Sequence, residues 1–169
     1  MCPKPNPNPT NINSPIEQGR HNTSQGRPSA ISTMADVGLT ARQQALLNDL
    51  PDTGAEAVVK RGSVSMTDLA ALSAATGDEF AMFTKRGTRL IVRGDERRVY
   101  IGGDRAIALN AEGYRFSGHT HTMLLHNGME LEPSGGDYEI LGHFDHEYSV
   151  IYNIKGQQQK YRKLLHEGV

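Results

Sequence analysis

The strongest constraint on what this chain can fold into lies in its first 38 residues. They open Met1-Cys2-Pro3-Lys4-Pro5-Asn6-Pro7-Asn8-Pro9 and run on through Ser, Gln, Gly and Arg without apolar periodicity. A segment of that composition buries too little apolar surface to offset the entropy of ordering it. Residues 1–38 are therefore expected to form a disordered, low-complexity tail or linker, with His21 a solvated bystander inside it. The core has to come from 39–169, one domain's worth of chain and long enough to need no covalent staples.

Charge and cysteine content narrow the function classes. The 169 residues carry 18 Lys and Arg against 19 Asp and Glu, a formal net charge of −1. Nucleic-acid binders usually carry a basic excess, because phosphate neutralisation supplies most of their affinity; no nucleic-acid partner is expected. Cys2 is the single cysteine and cannot close an internal disulfide, which suits a reducing compartment. No window approaches the ~18 apolar residues of a membrane span, and the N-terminus lacks the apolar stretch of a Sec signal peptide. The expected location is cytoplasmic, or outside a bacterial cell by a non-Sec route, with no membrane partner.

From Leu39 the pattern becomes regular. Thr40 can cap a helix with Ala45, Leu46, Leu47 and Leu50 on its apolar side, stopped at Pro51. Ser65 and Asp68 form an S-x-x-D capping box ahead of Leu69, Leu72 and Ala75, and Gly77 ends that helix. Strands are expected at 80–84 and 89–93 around a Lys85-Arg86-Gly87 turn, at 99–101, and at 114–119. Residues 106–109 are ambiguous, 122–132 read as a polar loop, and Ser134 begins a further helix. A closing hairpin is expected over 148–154 and 159–164, turning near Lys155-Gly156. The fold class is α/β, a curved and mostly antiparallel sheet flanked by helices.

The stretch that carries chemistry is Gly118-His-Thr-His121, followed by Glu132-Pro-Ser-Gly-Gly-Asp137. Strand side chains alternate in direction, so His119 and His121 point to one side and present two imidazole nitrogens together. Asp137, in the first turn of the next helix, can add an oxygen ligand. Three protein ligands with one position left open is the arrangement of a catalytic zinc site, whereas a structural site is closed.

H-x-H, a loop, then S-x-x-D resembles the signature of the JAMM (MPN+, JAB-like) zinc metalloproteases, over about residues 79–163. The resemblance implies a deaminase-like α/β fold and a Zn2+ cofactor on His119, His121 and Asp137. It also implies Ser134 as an oxyanion-side hydroxyl and an upstream Glu as general base, a role that falls on Glu79. The implied activity is hydrolysis of a peptide or isopeptide bond in a protein or peptide substrate. Thr122 stands where the family commonly has Pro, and the loop between His121 and Ser134 is longer than usual. With Met66-Thr-Asp-Leu-Ala-Ala-Leu72 and Gly77-Asp-Glu-Phe-Ala-Met-Phe83, the 39–163 stretch also resembles domains at the C-termini of bacterial polymorphic toxins. That second resemblance implies a toxin or effector role and a cognate immunity protein.

Plainer readings stand beside these. Ser134 and Asp137 also make a helix capping box, the His pair can be ordinary polar residues leaving a strand, and Glu79 can be solvated beside Asp78. Asp78 and Glu96 are rival bases. His143 and His146 offer a competing metal pair, and His126 reads as facing substrate or solvent. Arg93, Arg97 and Arg98 read as a solvated hairpin tip. The alternative functions are a metal-dependent nuclease toxin and a non-catalytic binding module on the same fold.

Overall fold

The computed structural model describes residues 32–144 and 146–164. The expected tail lies outside them up to residue 31. The fold begins earlier than Leu39, because Met34–Asp36 forms a turn of 3-10 helix inside a Thr33/Asp36 capping box. The Met34 N–H donates to the Ile154 carbonyl at 2.9 Å, which ties this segment to the last hairpin of the domain.

Two capped helices follow from their own sequences. In α1 (Ala41–Asn48) the Thr40 hydroxyl and the Gln43 side chain satisfy each other's backbone N–H groups, as Ser65 and Asp68 do in α2 (Met66–Thr76). Gly77 closes α2 at φ 79°, a left-handed conformation that costs glycine little. The Asp68 carboxylate also receives Arg42 and Gln43 from α1 at 2.8 to 2.9 Å, locking the two helices together.

The sheet has six strands: β1 (Glu56–Lys60), β2 (Phe80–Lys85), β3 (Thr88–Arg93), β4 (Arg115–His121), β5 (Tyr148–Asn153) and β6 (Gln158–Arg162), in the order β1-β3-β2-β4-β5-β6. Every pairing is antiparallel except β4 with β5. Helix α3 (Gly103–Ala111) fills the ambiguous stretch at 106–109, and α4 (Gly135–Gly142) crosses between β4 and β5. The α/β expectation of a mostly antiparallel sheet with flanking helices describes this architecture.

Both faces of the sheet are covered, and β2 shows it. Phe80 and Met82 pack with Leu46, Leu69 and Leu72 from α1 and α2. Ala81 and Phe83 point the other way, into a cluster with Leu109 of α3, Leu141 of α4, Phe116 and Phe144. A strand buried on both sides reads as a continuous apolar run, which is why Phe-Ala-Met-Phe lacks a polar alternate.

Two sequence expectations fail here. Residues 99–101 form no strand. The Asp95 carboxylate takes the N–H groups of Arg97 and Arg98 and the Tyr100 hydroxyl, all at 2.8 to 2.9 Å, and a chain satisfied locally has no need of a ladder. Gly94 permits this loop: a Cβ there would stand 2.1 Å from the Arg98 carbonyl oxygen. Arg93 is not a solvated tip either. It is largely buried, pairs with Asp78 at 2.8 Å and donates to the Leu50 carbonyl.

Candidate metal centre

The centre sits at the C-terminal end of β4, and local irregularities aim its side chains. Met82 pairs with Gly118 but Phe83 pairs with Phe116, so Ser117 is an extra residue on β4. Such an extra residue shifts the alternation of side chains across it, so Phe116, three residues before His119, shares a face with His119 and His121. Phe116 stacks on the His119 ring at 5.4 Å between centroids. Gly118 is needed beneath the pair, because a Cβ there would meet Met66 Sδ and the Val150 carbonyl oxygen at 2.9 Å each.

A strand parallel to its neighbour must return by a crossover, and the crossover helix starts where the first strand ends. Here that helix is α4, so its first turn hangs over His119 and His121. His119 Nε2 lies 3.0 Å from Asp137 Oδ1, and His121 Nε2 lies 3.3 Å from Asp137 Oδ2. The two Nε2 atoms are 3.1 Å apart. Ligand atoms bound tetrahedrally at ~2.0–2.2 Å stand about 3.3–3.6 Å from one another, so this donor set fits a metal ion with little movement. Among the described residues, His119, His121 and Asp137 form the group of His, Cys, Asp and Glu side chains that could hold one.

Ser134 and Asp137 form the expected capping box, and the same aspartate faces the two imidazoles. The Ser134 Oγ accepts the Asp137 N–H at 3.2 Å, and Asp137 Oδ2 accepts the Ser134 N–H at 2.8 Å. The capping box therefore fixes the carboxylate that faces the imidazoles. Burial alone would raise the Asp137 pKa, but the hydrogen bonds from His119 and His121 outweigh it and hold the carboxyl far below its usual range. Burial pushes the His119 pKa down, against the pull of the Asp137 carboxylate. At His121 burial also opposes charge, yet Asp137 and the Glu130 carbonyl prevail and raise the pKa.

Glu79 joins them by register. Ala81 pairs with His119, so two residues earlier Glu79 stands across from His121 on the same face. It is buried, only 7% exposed. Burial is the chief reason its carboxyl is pushed up to about 8; the His121 charge pulls the other way, while Asp137 and Asp95 push it further. Together with His119, His121, Asp137 and Ser134 it lines a cleft of about 930 Å³.

Of the rival residues, Asp78 is occupied by Arg93. Glu96 is exposed at the cleft edge, where its carbonyl accepts the Thr122 hydroxyl at 2.8 Å. His143 lines the cleft as the C-cap of α4, whereas the His146 ring lies 4.9 Å from Tyr148; among the described residues neither belongs to the group that could hold a metal. His126 is exposed. Arg97 and Arg98 are exposed on the cleft wall, and Arg98 lies over the Tyr100 ring.

One residue of the centre escaped the sequence reading. The loop after β4 is not simply polar: His126–Leu131 coils into 3-10 turns, Leu131 is buried, and Met123, Leu125 and Met129 are exposed. Asn127 and Gly128 both take positive φ, 59° and 72°, as in a type I′ turn. That reversal brings Glu130, 6% exposed, under the centre, where its backbone carbonyl accepts His121 Nδ1–H. The Asn-Gly pair was the available signal. By contrast, His119 Nδ1 is buried with no hydrogen-bond partner among the described residues. On the side away from Asp137, one imidazole is thus held by packing and the other by a hydrogen bond.

Among the described residues no helix is long and apolar enough to cross a membrane. Comparison with protein-family models, with curated proteins and with solved structures finds no match.

Proposed function

We propose that this chain is a zinc-dependent hydrolase of the JAMM type, cleaving a peptide or isopeptide bond in a polypeptide. The observation that carries this reading is a buried carboxyl, Glu79, facing two imidazoles and an aspartate that converge tightly enough to hold a metal. His119, His121 and Asp137 are the ligands. A bound Zn2+ supplies Lewis-acid polarisation of the substrate carbonyl and lowers the pKa of a water toward ~7.

The remaining work falls to the chain's own groups. Glu79 takes the proton of the attacking water and delivers it to the leaving amine, which balances the hydrolysis. Its raised pKa would keep it protonated at neutral pH, but a divalent cation nearby favours the ionised form and returns it to service as a base. The Ser134 oxygen is used as an acceptor by the helix cap, leaving its O–H free to donate toward an oxyanion in the cleft. Removal of the Glu79 carboxylate should cost ~10²–10⁴-fold in rate without removing the metal.

The test loads purified protein with zinc and presents peptide, isopeptide and nucleic-acid panels. Peptide or isopeptide cleavage that Glu79→Gln lowers at least about a hundredfold, at equal zinc content, supports the reading. Cleavage of nucleic acid instead, or full activity in Glu79→Gln, overturns it.

A further inference from the structure

We infer that Glu130 is a positioning residue for the metal centre, holding His121 in the one tautomer and orientation that can bind a metal. The inference rests on the metal-site reading above and goes beyond its ligand set and base.

Glu130 acts through two separate parts of the residue. Its carbonyl receives the Nδ1–H of His121, so Nε2 is the nitrogen that faces His119 and Asp137 and that a metal would take in place of its proton. An imidazole bears one proton when neutral, so fixing it on Nδ1 decides which nitrogen is the ligand. The second part keeps that carbonyl still. Glu130 Oε1 accepts from Asn153 Nδ2 at 2.8 Å, and Oε2 accepts the Leu125 N–H at 3.1 Å. A carboxylate with an anchor on each oxygen cannot swing, and the backbone that carries it cannot rotate its carbonyl away.

Asn153 is itself fixed. It is fully buried at the end of β5, directly across the parallel ladder from His121. Its Oδ1 accepts the N–H groups of Lys155 and Gln157 at 3.0 and 2.9 Å, and its amide donates to Gln157 Oε1 at 2.9 Å. A continuous chain of hydrogen bonds therefore runs from the β5–β6 turn through Asn153 and Glu130 to His121. The polar arrangement is costly to bury, and packing alone does not require it.

Glu130→Gln separates positioning from folding. A glutamine oxygen can still accept from Leu125, but its NH2 group then meets the NH2 group of Asn153, donor against donor. Exchanging both members, Glu130→Gln with Asn153→Asp, turns that clash into a donor on an acceptor, and the exposed Gln157 amide can turn end for end to donate to the new carboxylate. Zinc affinity, measured by chelator competition, is expected to fall about ten- to a hundredfold in Glu130→Gln. It should return to within about threefold of wild type in the double variant. The cobalt-substituted proteins report ligand geometry directly: the visible d–d bands should change in the single variant and recover in the double. Metal-free unfolding of each protein is measured alongside. Wild-type affinity in Glu130→Gln, or a loss that the double variant does not reverse while it remains folded, would overturn the inference. Absence of zinc binding by wild type would instead sink the metal reading on which it rests.

Discussion

Replacing Glu79 by Gln should change how the metal-free protein responds to pH. A carboxyl whose folded-state pKa is raised keeps its proton in the native state after the unfolded chain has released it. Between an ordinary 4.5 and about 8 the native state therefore binds one more proton than the unfolded state. Stability in that window falls as pH rises, by ~1.36 kcal/mol per pH unit for one group. The contribution is fully present below pH ~4.5, and by pH ~8 the accumulated loss is about 5 kcal/mol, on the order of a small domain's whole stability. Glutamine has no proton to lose, so the difference between wild type and Glu79→Gln reports the Glu79 titration together with its coupling to His121, whose pKa the Glu79 charge helps to raise. Urea unfolding of both metal-free proteins from pH 5 to 9 measures it. The two stabilities should diverge steadily, with the variant ahead by several kcal/mol at pH 8. Saturating zinc should flatten the wild-type curve, because the cation favours the ionised form. Parallel curves for the metal-free pair would refute the reasoning, since they would mean that Glu79 ionises in the fold as readily as in water.

Other perturbations divide the centre by role. His121→Ala should lose most of the roughly one zinc per chain, read by elemental analysis after reconstitution. Ser134→Ala should cost about 1 kcal/mol of stability through the α4 cap yet keep its zinc, whereas Asp137→Ala should lose cap and zinc together; unfolding curves and metal content distinguish them. Gly118→Ala should destabilise by about 1–3 kcal/mol in urea unfolding, because Met66 and the β5 backbone must give way.

What could be read in the sequence is what short stretches decide for themselves. Thr40, Ser65 and Ser134 each set a capping box with the residue three along, and each begins the helix expected of it. The hairpins around Gly87 and Gly156 are local as well. The His119 and His121 pair was visible because two-residue periodicity is enough to face both rings one way. Edge strand β1 was missed because Glu-Ala-Val-Val-Lys lacks a clean alternation of apolar and polar residues and Val58 stays exposed; pairing with β3 makes it a strand. The 99–101 stretch has strand composition, yet the single carboxylate of Asp95 outcompetes the ladder. Glu130 was invisible for a related reason. Nothing about a glutamate beside a methionine marks it, and its role exists only once Asn127-Gly128 has turned the loop back under β4.

The parallel step between β4 and β5 explains why the centre is where it is. An all-antiparallel sheet would let β4 turn directly into its neighbour through a short loop, and no helix start would lie over its end. The parallel pairing demands a crossover, and the crossover supplies three things at one place. It sets Asp137 in the first turn of α4 above the two imidazoles. It lengthens the path enough for the 126–131 turns to carry Glu130 beneath His121. It also brings the end of β5 level with the end of β4, so that Asn153 stands opposite His121 and can brace Glu130. The fourth contributor comes from the antiparallel side, where β2 delivers Glu79 across from His121. The centre thus draws on both neighbours of one strand, and a change in β4 register by one residue would move His119 and His121 to the opposite face and dismantle it.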